Sequence, residues 1–283
     1  MKRKLFWTCL ILLSVTVSQA QNNRNATMMV SSFNLRMDNP GDGVNAWPNR
    51  KEMVKSLIRF HDFDLIGTQE GFKHQLEGIL ELKGYAYVGG GRDDGRDAGE
   101  HSAIIYRTER FTLLEKGDFW FSETPDLPGK GWDATCCNRI CSWAKFKDRR
   151  SGKKFFIFNV HYDHQGKEAR KNSSLLLMEK IRQIAGKNRV IVTGDFNATP
   201  DSEPIRIIRD AGLLRDSYLV TETVPHGTEG TFNSFRLEAP MKDRIDYIWV
   251  TPDITVRKYG VLNEMQYGRF PSDHFPVVIE ANL

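Results

Sequence analysis

Short apolar runs that each stop on a carboxylate, an amide or an imidazole constrain this 283-residue chain more than any other feature. Val190-Ile191-Val192 runs through Thr193-Gly194 into Asp195 and Asn197, and Phe155 to Val160 ends on His161, with Asp163 two positions on. Asn34 falls at the end of Met28 to Leu35, Glu70 comes after Asp64 to Thr68, and Ser272-Asp273-His274 precedes Phe275 to Ala281. Runs this short and rich in branched and aromatic residues read as strands. Taken singly, an Asn or Asp after a strand is a turn residue or a helix cap. Taken together, such ends would meet at one rim.

The remaining pattern supplies helices between the strands. Pro48–Phe60, with proline near its first turn, His74–Leu82 and the amphipathic Glu168–Ala185 read as helices. Tyr85–Val88, Ala103–Tyr106, Ile140–Phe146, Arg244–Val250 and Ile254–Val261 read as further strands. No repeat or long linker divides residues 27–283, so one α/β domain is expected, two sheets packed face to face with helices outside. The glycine-rich, charged stretch 89–100 has neither GxGxxG nor GxxxxGK[ST] spacing and reads as a surface loop beside a site.

Residues 1–20 carry Lys2, Arg3 and Lys4, then apolar Leu5 to Val17, then Ser18-Gln19-Ala20, the order of an export signal peptide. Export to the periplasm or medium as a soluble protein is therefore expected. Cleavage after Ala20 would remove three of the four excess positive charges, and so little net charge gives no general affinity for long nucleic acid. Three cysteines would remain, Cys136, Cys137 and Cys141; Cys137 and Cys141 can pair, and at least one thiol is left over. No segment marks an obligate protein partner.

The chemistry of the polar set is narrow. Asn34, Glu70 and Asp273 offer oxygen ligands without thiolate or clustered imidazole, which suits Mg²⁺ or Mn²⁺ beside a phosphate. Asp195 and Asn197, two apart, fall on one side of an extended chain and can hold a water between them. Asp246, flanked by Ile245, Tyr247 and Ile248, needs a polar partner if buried, and His274 is the natural one. His274 and His161 would then donate to phosphoryl oxygens as charge develops.

With these residues in order, the chain resembles the endonuclease/exonuclease/phosphatase superfamily, which has the fold of deoxyribonuclease I. The motifs are S-F-N-L-R, T-Q-E, E-H-S-A-I-I-Y-R, N-V-H-Y-D-H, G-D-F-N-A-T-P, D-R-I-D-Y-I and P-S-D-H-F-P-V, spread over residues 27–283. The resemblance implies a four-layer α/β sandwich of two mixed sheets flanked by helices, with a Mg²⁺-dependent site at one edge. It implies Asn34 and Glu70 as the metal pair, Asp273 as a second metal-side acid, and Asp195 and Asn197 as the pair orienting the nucleophile. Asp246 would orient His274, Glu100 would bond the His161 ring, and Tyr106 and Asp163 would support the site. Arg36 stands where apurinic-site endonucleases have an aspartate, which disfavours that activity. D-N-P-G-D-G-V-N-A-W-P-N-R at 38–50 is similar to an exported bacterial branch, and the overall pattern to the deadenylase-like 3'-5' exonucleases. Arg50, Arg139 and Arg170 are candidate substrate contacts. The expected substrate is a phosphoester: nucleotide, sugar phosphate, lipid headgroup or nucleic acid. The rival reading is a non-catalytic binder of a phosphorylated or glycan ligand.

Overall fold

A computed structural model describes residues 27–283; the expected export signal at 1–20 lies outside the described residues. The twelve strands in chain order are β1 (Thr27–Asn34), β2 (Leu65–Gln69), β3 (Tyr85–Val88), β4 (Ile104–Arg107), β5 (Phe111–Trp120), β6 (Ile140–Asp148), β7 (Lys154–His161), β8 (Val190–Asp195), β9 (Arg215–Asp216), β10 (Asp246–Val250), β11 (Thr255–Val261) and β12 (Val277–Asn282). They form two six-stranded sheets, ordered β11-β12-β1-β2-β4-β3 and β5-β6-β7-β8-β10-β9. Each sheet is mixed, with one parallel pair: β1 beside β2, and β7 beside β8. The connection within each parallel pair carries a helix, α1 (Trp47–Phe60) in the first and α3 (Lys167–Ile184) in the second. Helix α2 (Lys73–Leu80) packs with α1 on the first sheet, and α4 (Glu203–Asp210) packs with α3 on the second. The expected four-layer α/β sandwich is thus observed.

Period-two alternation sorts the side chains into layers. On β7, Phe155 and Ile157 join the core between the sheets, while Phe156, Phe158 and Val160 face α3 and α4. On β2, Leu65 points between the sheets and Ile66 lies under α1 and α2. The inner faces change character along the strands. Val30, Ile157 and Ile191 are apolar; one step on, Ser32, Asn159 and Thr193 are polar; one step further stand Asn34, His161 and Asp195.

Asn159 ties this middle layer together. Its side-chain amide donates to the carbonyls of Thr68 (2.8 Å) and Ala103 (3.0 Å) in the opposite sheet. Its Oδ1 accepts from Gln69 Nε2 (2.7 Å) and Thr193 Oγ1 (2.9 Å). The full hydrogen-bonding capacity of one buried amide is used, three of the four bonds crossing the sheet interface and the one from Thr193 running within the sheet. The approach is close enough to require Gly67, where a Cβ would lie 2.0 Å from Thr193 Oγ1 and 2.5 Å from Asn159 Oδ1.

The structure differs from the sequence reading in places. Strand β5 escaped it because the edge strand breaks register between Leu113 and Glu115, which spoils the alternation. The short α4 was also missed. Cys137 pairs with Cys136 and not with Cys141: Cys141 lies inside β6, fully buried among the residues under α3, while Cys136 and Cys137 sit in the preceding loop. Burial holds the Cys141 thiol, the one free thiol among the described residues, protonated by raising its pKa. No described helix is long and apolar enough to cross a membrane.

Replacing Asn159 by alanine removes four buried hydrogen bonds, three of them between the sheets. We expect Asn159→Ala to lower the unfolding free energy by about 3 kcal/mol in urea titrations. A loss below about 1 kcal/mol would show that the polar layer does not hold the sheets.

Candidate active site

The parallel pairs end at the same rim, with Asn34 paired to Gln69 and His161 paired to Asp195 in their last registers. Strand β10 runs antiparallel to β8 and so begins there, Asp246 opposite Asp195. Glu70 follows Gln69, an inner-face residue, and would point away from the interface if the strand continued. Its positive φ of 63° turns the chain instead, and the carboxylate enters the rim. His274 is fixed by a backbone bridge to Phe232 and an edge-on ring contact with it at 5.0 Å.

These ends line a cleft of about 450 Å³ that includes Glu70, Asp195, Asn197, His161, Asp273 and His274. At its centre Asn34, fully buried, donates from Nδ2 to Glu70 Oε1 and to Asp195 Oδ2, both at 3.0 Å. Its Oδ1 accepts the Arg36 amide at 2.9 Å, which fixes the orientation of the side chain. Asn34 therefore braces two carboxylates, and its Oδ1, with one donor, keeps a second lone pair.

The two histidines are held in different protonation states. Arg139 donates from Nη1 to His161 Nδ1 (3.0 Å) and from Nη2 to His164 Nδ1 (2.9 Å). A guanidinium has no lone pair, so His161 Nδ1 accepts and its proton sits on Nε2. Burial, then the cations Arg139 and Arg92, push its pKa well below the usual histidine value. His274 Nδ1 instead meets Asp246 Oδ2 at 2.9 Å, and Asp246 also takes the Thr231 hydroxyl at 2.6 Å. Burial opposes the charge on His274, yet Asp246 and Asp195 outweigh it and raise the pKa well above the ordinary value. Both rings thus present an Nε2–H toward Asp195 Oδ2, at 3.6 Å for His161 and 3.8 Å for His274.

Asp195 is poised between protonation states. Burial and then the nearby Asp246 charge push it up to about 7, against His274, the Asn197 amide at 2.9 Å and Asn34. A carboxyl of that pKa suits a general base at neutral pH. Glu70 is opposite in sense: burial raises it, but His274, Asn34, the Met37 amide and Arg36 together bring it below the usual carboxylate range. Glu70, Asp195 and His274 each place a potential ligand atom within 4.8 Å of the others. Because His274 is an imidazolium, the donors that fit a divalent cation are the oxygens of Glu70, with Asp273 and Asp195 beside it. Such a hard-oxygen set suits Mg²⁺ or Mn²⁺ better than zinc.

The other expected residues divide. Glu100 lies 3.8 Å from His161 Nδ1 and accepts from Arg92 at 2.6 Å. Asp163 organises the turn after β7, accepting the amides of Gln165 and Gly166, and faces Arg139 Nε at 3.5 Å. Tyr106 is away from the cleft, packed on Phe146 at 4.7 Å between the sheets. Arg50 is 1% exposed and clamps the carbonyls of Asn45, Leu35, Pro271 and Arg36, so it braces the loops instead of meeting substrate. Arg170 holds the Asp163 carbonyl and lines a neighbouring cavity rather than the cleft. Arg139 lines the cleft with its Nη atoms given to histidines. Sequence reasoning did not assign Arg36, Arg92, His164 or Phe232 to the cleft; Arg92 is signalled only by the glycine-rich loop, which does lie beside the site.

The family model for the Endonuclease/Exonuclease/phosphatase family matches residues 31–274. This chain belongs to the endonuclease/exonuclease/phosphatase family. Its fold is shared with a family member from Bacteroides thetaiotaomicron, 45% identical with a TM-score of 0.87, covering 90% of this chain and 97% of that one. A mannosyl-6-phosphatase of Bacteroides thetaiotaomicron is 44% identical with a TM-score of 0.86, covering 90% of this chain and all of that one. The Ccr4 3'-5'-exoribonuclease subunit of Aspergillus niger is 26% identical over 310 residues, 82% of this chain. The chain spans 60% and 46% of the length of two curated relatives it matches, a mimivirus protein and that Ccr4. Family members are phosphoester hydrolases that typically use divalent metals.

Glu100 gives a pH signature that needs no turnover. Burial pushes it up to about 7, against Arg92. A raised carboxyl pKa stabilises the fold fully below the unfolded value near 4.5, and that contribution is lost as pH rises to about 7. Glutamine mimics the protonated form, so Glu100→Gln should gain stability relative to wild type between pH 5 and 8, by up to about 3 kcal/mol. Urea titrations in chelator measure this, and a pH-independent difference would contradict it.

Proposed function

We propose that the chain is a Mg²⁺-dependent phosphatase that hydrolyses a sugar phosphate monoester by direct attack of water. The observation that carries the reading is Asp195, a buried carboxyl near neutral pKa, flanked by two Nε2–H donors and joined through Asn34 to the anionic Glu70. The 44% identity to a mannosyl-6-phosphatase over its full length supports the monoester choice. A cleft of about 450 Å³ suits a small ligand. The basic, apolar and small-residue order of positions 1–20 supports action outside the cytoplasm.

In this mechanism Asp195 orients the attacking water with Asn197 and takes its proton. Asn197 is held for this by its Nδ2 bond to the Tyr162 carbonyl at 3.0 Å. His161 and His274 donate from Nε2 to unesterified phosphoryl oxygens as charge accumulates there. Asp246 keeps His274 protonated, and Arg139 keeps the His161 proton on Nε2. A divalent cation bound by Glu70 and Asp273 would polarise the phosphoryl group and stabilise the departing oxygen.

Purified protein assayed with Mg²⁺ on mannose 6-phosphate, bis-p-nitrophenyl phosphate and oligoadenylate tests the reading. Release of phosphate from the sugar ester should dominate, and preferential cleavage of oligoadenylate would favour the 3'-5' exonuclease alternative. Asp195→Asn and His274→Ala should each lower kcat by about 10² to 10³. Wild-type rates in both variants would refute the assigned roles, and absence of turnover on every ester would favour a ligand-binding role.

A further inference from the structure

Arg36 is fixed with more care than an exposed loop residue needs. Its φ is 55°, in the left-handed region that non-glycine residues seldom adopt. Its amide is held by Asn34 Oδ1 at 2.9 Å, and its carbonyl accepts from Gln75 Nε2 (3.0 Å) and Arg50 Nη2 (3.2 Å). Nε and Nη2 of its guanidinium form a fork on Asp42, both at 2.9 Å. These contacts fix its backbone and side chain and leave Nη1 without a hydrogen bond. Nη1 lies 4.0 Å from Glu70 Oε2, and Nε lies 3.9 Å from Asp273, too far to bond either acid.

The arginines that line the cleft differ in what remains to be bonded. Arg92 gives Nη1 to Glu100, and Arg139 gives both Nη atoms to histidines. Arg92 keeps Nη2 unbonded on the Glu100 side, whereas Arg36 Nη1 is an unbonded guanidinium donor beside Glu70, 4.0 Å from its Oε2. The unesterified oxygens of a bound phosphate decide how many donors it can use. A diester has two, which the Nε2–H groups of His161 and His274 can meet. A monoester has three and carries a second negative charge.

We propose that Arg36 is the specificity-determining residue for terminal phosphate, with Nη1 donating to the third unesterified oxygen of a monoester dianion. The assignment rests on the monoester reading above and adds to it the residue that selects monoester over diester. The side chain is pre-organised by Asp42, so little rotamer freedom is lost on binding. The bound dianion separates the guanidinium from Glu70 and Asp273. Asp42 is a positioning residue in this scheme, acting through Arg36.

Arg36→Gln, Arg36→Lys and Asp42→Asn test the proposal on p-nitrophenyl phosphate, bis-p-nitrophenyl phosphate and inorganic phosphate. Arg36→Gln should lower the monoester kcat/KM by about 10²-fold and the monoester-to-diester ratio by at least about tenfold. By isothermal titration with Mg²⁺ present, it should weaken inorganic phosphate binding by about tenfold. Arg36→Lys, which keeps the charge and loses the fork, should recover part of both effects. Asp42→Asn should fall between wild type and Arg36→Gln. Equal losses on the two esters would show that Arg36 only supports the loop and would overturn the proposal. If wild type turns over neither ester, the reaction reading fails, while the phosphate titration still decides the role of Arg36. Weaker phosphate binding in Arg36→Gln would then support it, and an unchanged dissociation constant or no wild-type binding would refute it.

Discussion

Three hydrogen bonds of Asn159 to the opposite sheet set the distance between the two sheets at the level where it matters for the site. Asn159 and Thr193 take part in that network, and His161 and Asp195 stand two residues further along the same strands. A side chain one pleat further on inherits the position of the one before it. Glu70 and His274 lie outside that alternation and are brought to the rim by a positive-φ turn and by the bridge to Phe232. Gly67 is the complement of Asn159: it removes the side chain that would keep the sheets from meeting.

Above that layer, charges are set in pairs of opposite tendency. Burial acts on all of them in the same way, disfavouring the charged form, and the neighbours decide which groups stay charged. Asp246 holds His274 as the cation, whereas Arg139 and Arg92 disfavour the cation on His161. Asp195 is pushed up to about 7 with Asp246 near, and Glu70 is drawn down with His274 and Arg36 near. Two carboxyl groups bridged by one asparagine thus take different roles, one as proton acceptor and one as anion.

Much of this was legible because strand alternation is a strong signal and polar strand ends are its exceptions. The sheets, α1 to α3 and the meeting of Asn34, Glu70, His161, Asp195, Asp246 and His274 could be read from the residues. What could not be read depends on side-chain direction. Arg50 beside a motif looks the same whether it meets substrate or clamps four carbonyls, and only the fold decides for the clamp. That Asn34 also braces Glu70 and Asp195 through Nδ2 has no sequence signature. Arg36 read only as a missing aspartate, since neither its positive φ nor the Asp42 fork has a sequence signature. The edge strand β5 was hidden by its bulge.

The account centres on water, held by Asp195 and Asn197, as the direct nucleophile. The most direct measurement is the stereochemical course at phosphorus. A sugar phosphorothioate made chiral with two oxygen isotopes would be hydrolysed in water enriched in the third, and the configuration of the product determined. A single in-line attack predicts inversion. Retention would require a covalent phosphoryl-enzyme intermediate and would contradict the assignment of Asp195 as the base that activates water.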